Sequence, residues 1–180
     1  MKTLTDLSLI AQVVISHNRR AFDTLVSRHQ SQVRRFFLHQ TLGDAPLSDD
    51  LAQETFIRAW LRLGTFQGLS NFSTWLLRIA HNVLYDYLRS KKETSRLDDV
   101  PPDREETCEQ PPVDTRIDIY EALAQVKREE RTCLTLFYME DLTIPKIATI
   151  TGMPEGTVKS HLARGKAKLS NYLKQHGYES

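Results

Sequence analysis

A stretch rich in proline and acidic residues, residues 93–114, most constrains how this chain can fold. It holds four of the seven prolines of the chain, and eight acidic side chains against two arginines. Segments that combine proline, high net charge and few apolar residues do not pack a core and stay extended or disordered. The sequence therefore predicts two modules, residues 1–92 and 115–180, joined by a flexible acidic linker.

Both modules are predicted to be all-α. Apolar residues recur at helical spacing on each side of the linker, and no sustained alternation of apolar and polar residues indicates a strand. The predicted helices lie near residues 5–17, 20–40, 49–64 and 72–90, then 116–127, 129–139, 143–151 and 155–174. The expected fold is two small helical domains, of which the C-terminal one contains a helix-turn-helix.

Composition and motifs exclude several classes of protein. No apolar run reaches the roughly 18 residues that a membrane span needs, and the N-terminus lacks the pattern of a signal peptide, so we expect a cytoplasmic protein without membrane insertion. Cys108 and Cys133 lack metal-ligand spacing and are expected to be free thiols. No phosphate loop, nucleophile motif or carboxylate pair is found. We therefore expect no catalytic residues, no metal and no cofactor.

The segment from Leu142 to Leu169 is predicted to be a helix-turn-helix. Thr143 suits the N-cap of the first helix, residues 151–153 form the turn, and the second helix begins near Pro154. On a helical projection its core face opposes a small and basic face, which fits insertion into the DNA major groove. The alternative is a helical hairpin with a solvated basic face. The outer-face residues are Lys159, Ser160, His161, Ala163, Arg164, Lys166, Ala167 and Lys168.

The helix predicted at residues 49–63 is apolar around most of its circumference. Glu54 and Arg58 form an i,i+4 pair on the narrow polar strip, with Asp50 one turn earlier and Gln53 beside the main apolar stripe. Two interpretations stay open. The helix is either an ordinary core helix with a salt pair, or a docking surface for a large partner.

The helix predicted at residues 71–92 places four polar side chains on one outer face. Arg78, Asn82, Tyr85 and Arg89 follow each other at spacings of 4, 3 and 4, and His81 lies beside them. An exposed tyrosine between arginines is typical of a platform on which single-stranded DNA bases stack while cations hold the phosphates. The alternative is a solvated face with an incidental tyrosine.

Taken together, these segments resemble the extracytoplasmic-function (ECF) class of bacterial sigma factors. Residues 21–37 resemble the first conserved helix of the promoter-melting domain of that class, and residues 43–60 resemble the segment that docks on the clamp helices of RNA polymerase. Residues 71–89 resemble the segment that reads the −10 element, and residues 142–169 the module that reads the −35 element. The resemblance covers most of the chain outside the linker and the two ends.

The resemblance implies roles for individual residues. The expected polymerase contacts are Asp50, Gln53, Glu54 and Arg58. The residues expected to hold the melted −10 strand, with one base flipped out near the loop, are Asn71, Phe72, Ser73, Thr74, Trp75, Arg78, His81, Asn82, Tyr85 and Arg89. The residues expected to contact the −35 duplex are Thr157, Lys159, Ser160, His161, Ala163, Arg164 and Lys166.

Three positions depart from the pattern of the class and leave the promoter sequence open. Lys159 stands where arginine is often found, Ala163 where a bulky residue is common, and His81 where a basic residue is frequent. Lysine carries a point charge without the planar fork with which arginine binds two acceptors.

The predicted function is that of an alternative sigma factor that binds core RNA polymerase and directs transcription initiation. The resemblance also implies an anti-sigma protein as a partner, and the acidity of the linker suggests that it occupies an RNA path in the polymerase. Free protein is expected to bind duplex promoter poorly. The alternatives are a helix-turn-helix regulator acting without polymerase, an enzyme, and a helical adaptor that binds only proteins.

Overall fold

The computed structural model describes residues 5–97 and 119–177, and throughout these residues the chain is all-α, in two helical domains as predicted. The N-terminal module contains four α-helices, and a short 3₁₀ turn, Leu63–Thr65, follows the third. The C-terminal module contains four more, and a π-helical turn, Thr135–Met139, continues the second of them. The bounds are α1 Asp6–Ser16, α2 Arg19–Gln40, α3 Ala45–Arg62, α4 Phe72–Leu97, α5 Ile119–Ala124, α6 Arg128–Leu134, α7 Ile144–Thr151 and α8 Glu155–Gln175.

Helix α2 is the centre of the N-terminal module, with α1, α3 and α4 packed around it. Its inward side chains Leu25, Val33, Phe36 and Phe37 are fully buried, and Leu76 of α4 lies in the same core. Burying a side chain of this size contributes about 1.5–3 kcal/mol. The core therefore fixes which faces of α3 and α4 point outward.

Helix α3 begins at Ala45, four residues before the predicted start, because the preceding residue caps it. Asp44 accepts a hydrogen bond from the backbone N–H of Leu47 at 3.0 Å. Pro46 lies in the first helical turn, where its missing N–H costs nothing. The cap and the proline together set the start of the helix at this point.

Helix α4 runs to Leu97, five residues into the stretch predicted as linker. The sequence from Glu93 onward has no periodic apolar face, so the helical pattern alone did not extend the prediction that far. The remainder of the predicted acidic linker, residues 98–114, lies outside the described residues.

In the C-terminal module, helices α6 and α8 approach each other closely at Gly165. A Cβ atom there would lie 2.8 Å from Leu134 Cδ1 and 3.3 Å from Glu130 Cβ, so α8 packs with its backbone against α6. The predicted turn is found, with Gly152 at φ 72° ending α7. Thr143 occupies the N-cap of α7 as predicted, although its side chain makes no capping hydrogen bond.

The structure bears on three features that the sequence analysis considered: membrane-spanning helices, clusters of metal ligands and the cysteine thiols. Among residues 5–97 and 119–177, no helix combines the length and apolarity that crossing a membrane requires. The same residues contain no cluster of three or more potential metal-ligating side chains. Cys133 is a free, fully buried thiol, and burial raises its pKa to about 11; Cys108 lies outside the described residues.

Candidate nucleic-acid and polymerase interfaces

The outer face of α8 is positioned by its buried face. Val158, Leu162 and Gly165 are buried, and this stripe turns the opposite side of the helix to solvent. The predicted −35 contacts lie there: Thr157 and His161 are half-buried, and the exposed ones are Lys159, Ser160, Ala163, Arg164 and Lys166. The structure thus exposes five of the predicted residues on the outer side of α8, and Thr157 and His161 lie at its half-buried edge.

Two of these side chains also bond to the helix itself. The hydroxyl of Ser160 donates to the Gly156 carbonyl at 3.0 Å, and Arg164 Nε donates to the Ser160 carbonyl at 3.2 Å. The Nε bond holds the guanidinium along the outer face of the helix. Its terminal nitrogens are the groups that geometry favours for a bidentate contact with guanine.

Lys168 belongs to the packing of the module rather than to this outer face. Its Nζ donates to Glu130 Oε2 at 2.7 Å, and the Glu130 side chain is only 3 % exposed. Burial acts to raise the pKa of Glu130, but hydrogen bonds from Lys168 and from the Lys127 N–H outweigh it and lower that pKa. The ionised carboxylate therefore joins α6 to α8 beneath the outer face of α8.

Helix α4 presents the outward face that the sequence predicted. Arg78, Asn82, Tyr85 and Arg89 are exposed, with Tyr85 at 51 %. The buried residues Leu76, Ala80 and Val83 on the other side set this orientation. The face offers two cations, one amide and one aromatic ring, and cations with stacking rings are typical of sites for single-stranded nucleic acid.

His81 lies beneath this face and not on it. It is only 6 % exposed, and its ring packs against that of Tyr85 with centroids 5.1 Å apart. Burial lowers the pKa of His81 to about 4, so the imidazole is neutral near pH 7. Because the ring is buried and uncharged, His81 packs beneath Tyr85, whereas the sequence predicted that it contacts DNA.

The predicted loop at residues 71–75 is mostly the first turn of α4, which begins at Phe72, and its side chains divide into exposed and buried ones. Asn71 is exposed and Ser73 and Trp75 are half-buried, whereas Phe72 and Thr74 are 5 % and 3 % exposed. Phe72 stacks on Trp75 at 5.6 Å between ring centroids, and Phe66 meets both rings edge-on. Phe72 thus belongs to an aromatic cluster at the first turn of α4, and Thr74 is buried in the same turn.

The predicted polymerase contacts on α3 also fall into two groups. Asp50 and Gln53 are exposed, while Glu54 and Arg58 are half-buried. Arg58 donates to Glu54 at 2.7 Å and to Asp86 of α4 at 2.6 Å, and these bonds, that to Asp86 first, raise the pKa of Arg58. This arginine therefore holds α3 against α4 in addition to bordering the polar strip.

An open groove of about 300 Å³ between α2 and α3 was not predicted. Arg34 of α2 crosses it to Asp49 of α3, with 2.6 Å between Nε and Oδ1. Gln30 and Arg34 are exposed at a spacing of four on α2. That spacing was the only sign in the sequence of a polar surface on this side of α2. The groove also borders Gln53 and Phe56, so it extends the surface of the predicted docking helix.

Comparison with known families matches each module separately. Residues 25–94 match the family described as Sigma-70 region 2, and residues 116–169 match the family described as Sigma-70, region 4. The first range covers most of α2, all of α3 and most of α4, including the predicted −10 and polymerase faces, and the second covers the helix-turn-helix.

Relatives with curated descriptions match across both modules. The chain is 35 % identical over 173 residues to the ECF RNA polymerase sigma factor SigM of Mycobacterium tuberculosis, covering 94 % of this chain and 85 % of the relative. It is 30 % identical over 176 residues to the RNA polymerase sigma-H factor of Pseudomonas aeruginosa, covering 87 % and 88 %. Among solved structures, it resembles CnrH in complex with the cytosolic domain of CnrY, with a TM-score of 0.68, 26 % identity and coverage of 94 % and 97 %.

Proposed function

Because the chain belongs to the extracytoplasmic-function class of RNA polymerase sigma factors, we propose how its residues divide the task of promoter recognition. The protein is an alternative sigma factor that binds core RNA polymerase and directs promoter recognition and transcription initiation. The observation that supports the division is the pair of outward faces on α4 and α8, one in each matched module. Residues 1–92 carry melting, −10 reading and polymerase docking, and residues 115–180 carry −35 reading.

The α4 face holds the melted −10 strand. Arg78 and Arg89 hold phosphates, Asn82 bonds to a base edge and Tyr85 stacks on a base, a contact worth about 1–3 kcal/mol per base. The exposed Asn71 and the half-buried Ser73 and Trp75 border the pocket for a flipped base. Phe72, Thr74 and His81, which are buried, shape this surface from beneath.

The α8 face reads the −35 duplex in the major groove. Lys159, Ser160 and Arg164 face base edges, and Thr157 and Lys166 hold phosphates, while His161 and Ala163 border the contact. Base contacts carry sequence discrimination, whereas phosphate contacts fix the register of the helix on the duplex. The exposure of Lys159, Ser160, Ala163, Arg164 and Lys166 on the outer side of α8 supports this assignment.

The polymerase clamp binds the outer side of α3. Asp50 and Gln53, both exposed, are direct contacts. Glu54 and Arg58 contribute from the edge of the same strip, with Arg58 also fixing the angle of α3 through Asp86. The open groove beside Gln53 extends the contact onto α2.

Run-off transcription tests this division of labour. Purified core polymerase with the full chain should yield transcripts from a subset of a genomic promoter set, and omission of either protein should abolish them. Binding of the free chain to duplex promoters without any polymerase-dependent transcript would instead indicate a helix-turn-helix regulator. The match of residues 25–94 to Sigma-70 region 2 disfavours that alternative.

The acidic linker threads towards the active-site cleft of polymerase and occupies the RNA path until transcript displaces it. The support for this role is the charge of residues 93–114, with eight acids against two arginines. Replacing these acids with serines should change the ratio of abortive to full-length transcripts. An unchanged ratio would contradict the role.

An anti-sigma protein holds the factor inactive by covering these faces. The support is the likeness to CnrH, whose structure contains the cytosolic domain of CnrY. Full activity of a target promoter in unstressed cells that carry the chain at its natural level would argue against such an inhibitor.

The factor acts in the cytoplasm and is not an enzyme. It acts there together with core polymerase, and the faces on α3, α4 and α8 serve only to bind partners. Purified chain without polymerase should neither hydrolyse nucleoside triphosphates nor cleave DNA, and either activity would contradict the assignment.

A further inference from the structure

Helix α1 is attached to α2 by a carboxylate in its first turn. Asp6 Oδ1 accepts a hydrogen bond from Arg28 Nη1 at 2.9 Å, and Asp6 Oδ2 lies 2.8 Å from His29 Nε2. Burial acts to raise the pKa of Asp6, but the hydrogen bonds from Arg28 and His29 outweigh it and lower that pKa. Because an ionised carboxylate can only accept hydrogen bonds, Nε2 of His29 carries a proton and is the donor.

The same histidine contacts the first turn of α4. The His29 side chain is only 13 % exposed, and its ring meets the ring of Phe72 edge-on, with 5.1 Å between the centroids. Phe72 in turn stacks on Trp75, one of the residues proposed to border the pocket for the flipped base. Contacts thus run without a break from α1 through α2 to that pocket. We call Asp6, His29, Phe72 and Trp75 the Asp6–Trp75 contact series.

A second contact joins α1 to the loop of residues 66–71, which leads from the 3₁₀ turn to α4. Leu7 of α1 lies against this loop, since a Cβ atom at Gly68 would be 3.8 Å from Leu7 Cδ2. Helix α1 also contacts the 3₁₀ turn that precedes the loop. The first turn of α1 therefore borders the loop directly and, through His29, the helical turn that follows the loop.

The side chains of this loop are largely exposed. Residues 67–71 are all exposed and Phe66 is half-buried, so Phe66 and the buried Phe72 hold the two ends of the loop. Phe66 packs edge-on against Phe72 and Trp75. Each residue of a loop loses backbone entropy when it is fixed in one conformation. The contacts from α1 and His29 offset part of that cost before any DNA binds.

We propose that Asp6 and His29 are positioning residues for −10 recognition, because their contact with Phe72 keeps the 66–71 loop in the form that receives the flipped base. The proposal rests on the assignment of the α4 face and the adjoining loop to the melted −10 strand. A site that is competent in only a fraction of the molecules binds with an affinity reduced by that fraction. Loosening the Asp6–Trp75 contact series therefore weakens capture of the flipped base and leaves the other contacts of the α4 face unchanged.

His29→Ala and Arg28→Ala form a matched pair of variants. Each removes one hydrogen-bond partner of Asp6, and of the two side chains it is His29 that packs on Phe72. The probe is a single-stranded −10 oligonucleotide from a promoter identified by run-off transcription. We expect His29→Ala holoenzyme to bind it about five- to tenfold more weakly, the scale of one lost hydrogen bond. Arg28→Ala holoenzyme should bind it almost as well as the unmodified factor.

An abasic oligonucleotide separates positioning from general stability. A single abasic site, moved along the −10 element, locates the base that the unmodified holoenzyme captures. Where that base is missing, His29→Ala and the unmodified factor should bind equally well, because the pocket then has no base to receive. An equal loss on the intact and the abasic oligonucleotides would overturn the proposal, as would an equal loss with Arg28→Ala.

Substitution of Asp6 provides a rescue test. Asp6→Asn keeps a side-chain oxygen that accepts from His29 Nε2 and should retain most of the affinity for the intact oligonucleotide. Asp6→Ala removes that oxygen and should lose nearly as much affinity as His29→Ala. Equal affinities of the asparagine and alanine variants would contradict a role for the bond to His29.

Tryptophan fluorescence tests the same contact series without DNA. The chain has two tryptophans, so Trp60→Phe leaves Trp75 as the single emitter. Quenching of Trp75 by acrylamide should increase in His29→Ala and Asp6→Ala and stay unchanged in Arg28→Ala. Unchanged quenching in the first two variants would overturn the proposal.

Two further outcomes are decisive. If His29→Ala loses its helical circular dichroism, Asp6→Ala decides alone, because the Asp6 side chain is 30 % exposed and its removal leaves the core intact. If the unmodified holoenzyme binds no −10 oligonucleotide, the proposed promoter function of the α4 face is contradicted, whereas quenching of Trp75 still tests whether α1 sets the loop.

Discussion

Arg58 joins helix α3 to helix α4 by donating from Nη1 to a carboxylate oxygen of Asp86 at 2.6 Å. The same guanidinium donates from Nε to Glu54 at 2.7 Å, so one side chain links the proposed docking helix to the proposed −10 helix. Asp86 also lies 3.7 Å from Arg89 on the α4 face. The angle at which α4 presents its outer face thus depends on a residue of the polymerase-docking strip.

Asp86→Asn should weaken this link while leaving the fold intact. Arg58 and Asp86 are 28 % and 46 % exposed, and solvent-screened pairs contribute about 0.2–1 kcal/mol. We expect a loss of unfolding free energy within that range, measured by urea denaturation. Asp49→Asn, which removes the more exposed pair with Arg34, should cost less. A larger loss for Asp49→Asn than for Asp86→Asn would contradict the linking role.

Tyr85→Ala should reduce binding of the holoenzyme to a single-stranded −10 oligonucleotide. Loss of a stacking platform costs about 1–3 kcal/mol per base, which corresponds to roughly a 5- to 150-fold loss of affinity. Tyr85→Phe keeps the ring and should bind almost as well as the unmodified factor. Equal affinities for the alanine and phenylalanine variants, measured by fluorescence anisotropy, would remove Tyr85 from the DNA contact.

Arg164→Ala and Lys168→Ala should separate DNA reading from folding on the same helix. Arg164 is exposed on the outer face, and a lost base contact costs about 1–3 kcal/mol of discrimination, with little change in thermal stability. Lys168 neutralises the buried Glu130, so its removal should lower stability by about 1–3 kcal/mol. Both properties can be measured by thermal melting and by competition between matched and mutated −35 duplexes. Loss of stability with Arg164→Ala and loss of DNA discrimination with Lys168→Ala would contradict this assignment.

His81 should make the N-terminal module sensitive to acid. Burial lowers its pKa from 6.5 to about 4, so the unfolded chain binds a proton that the folded chain excludes between these values. Stability is then fully present above about pH 6.5 and falls as the pH approaches 4, by roughly 3 kcal/mol in total. His81→Gln carries no titrating ring and should flatten the melting temperature across this window. His17→Asn, at the exposed C-cap of α1, keeps His81 and should retain the slope.

Helical periodicity predicted the outward faces of α4 and α8 because those faces are set within a single helix. Where a neighbouring helix determines the burial or the partner of a side chain, the helical projection was insufficient. His81 lies beside the exposed face on the projection, yet neighbouring packing covers it. Arg58 pairs with an aspartate 28 residues away, and no local spacing indicates that partner.

Element boundaries were predicted less well than element types. The start of α3 follows from the Asp44 cap, which lies before the apolar pattern begins. The predicted helix at 129–139 continues from α6 into a π-helical turn; this change of winding places Thr135 and Glu140 against α2, a partner that the sequence pattern does not name. The packing of the modules likewise depends on contacts between residues more than 90 positions apart.

The backbone contact at Gly165 allows the outer side of α8 to be varied independently of the packing of the helix. Because α8 is anchored on Leu134 and Glu130 through a residue without a side chain, its rotation about its own axis is fixed from the inner side. The side chains on the outer side, at positions 159, 160, 163 and 164, can then be substituted without disturbing the contact at Gly165. A library of variants at these four positions, with the inner face unchanged, would yield factors that recognise new promoter sequences.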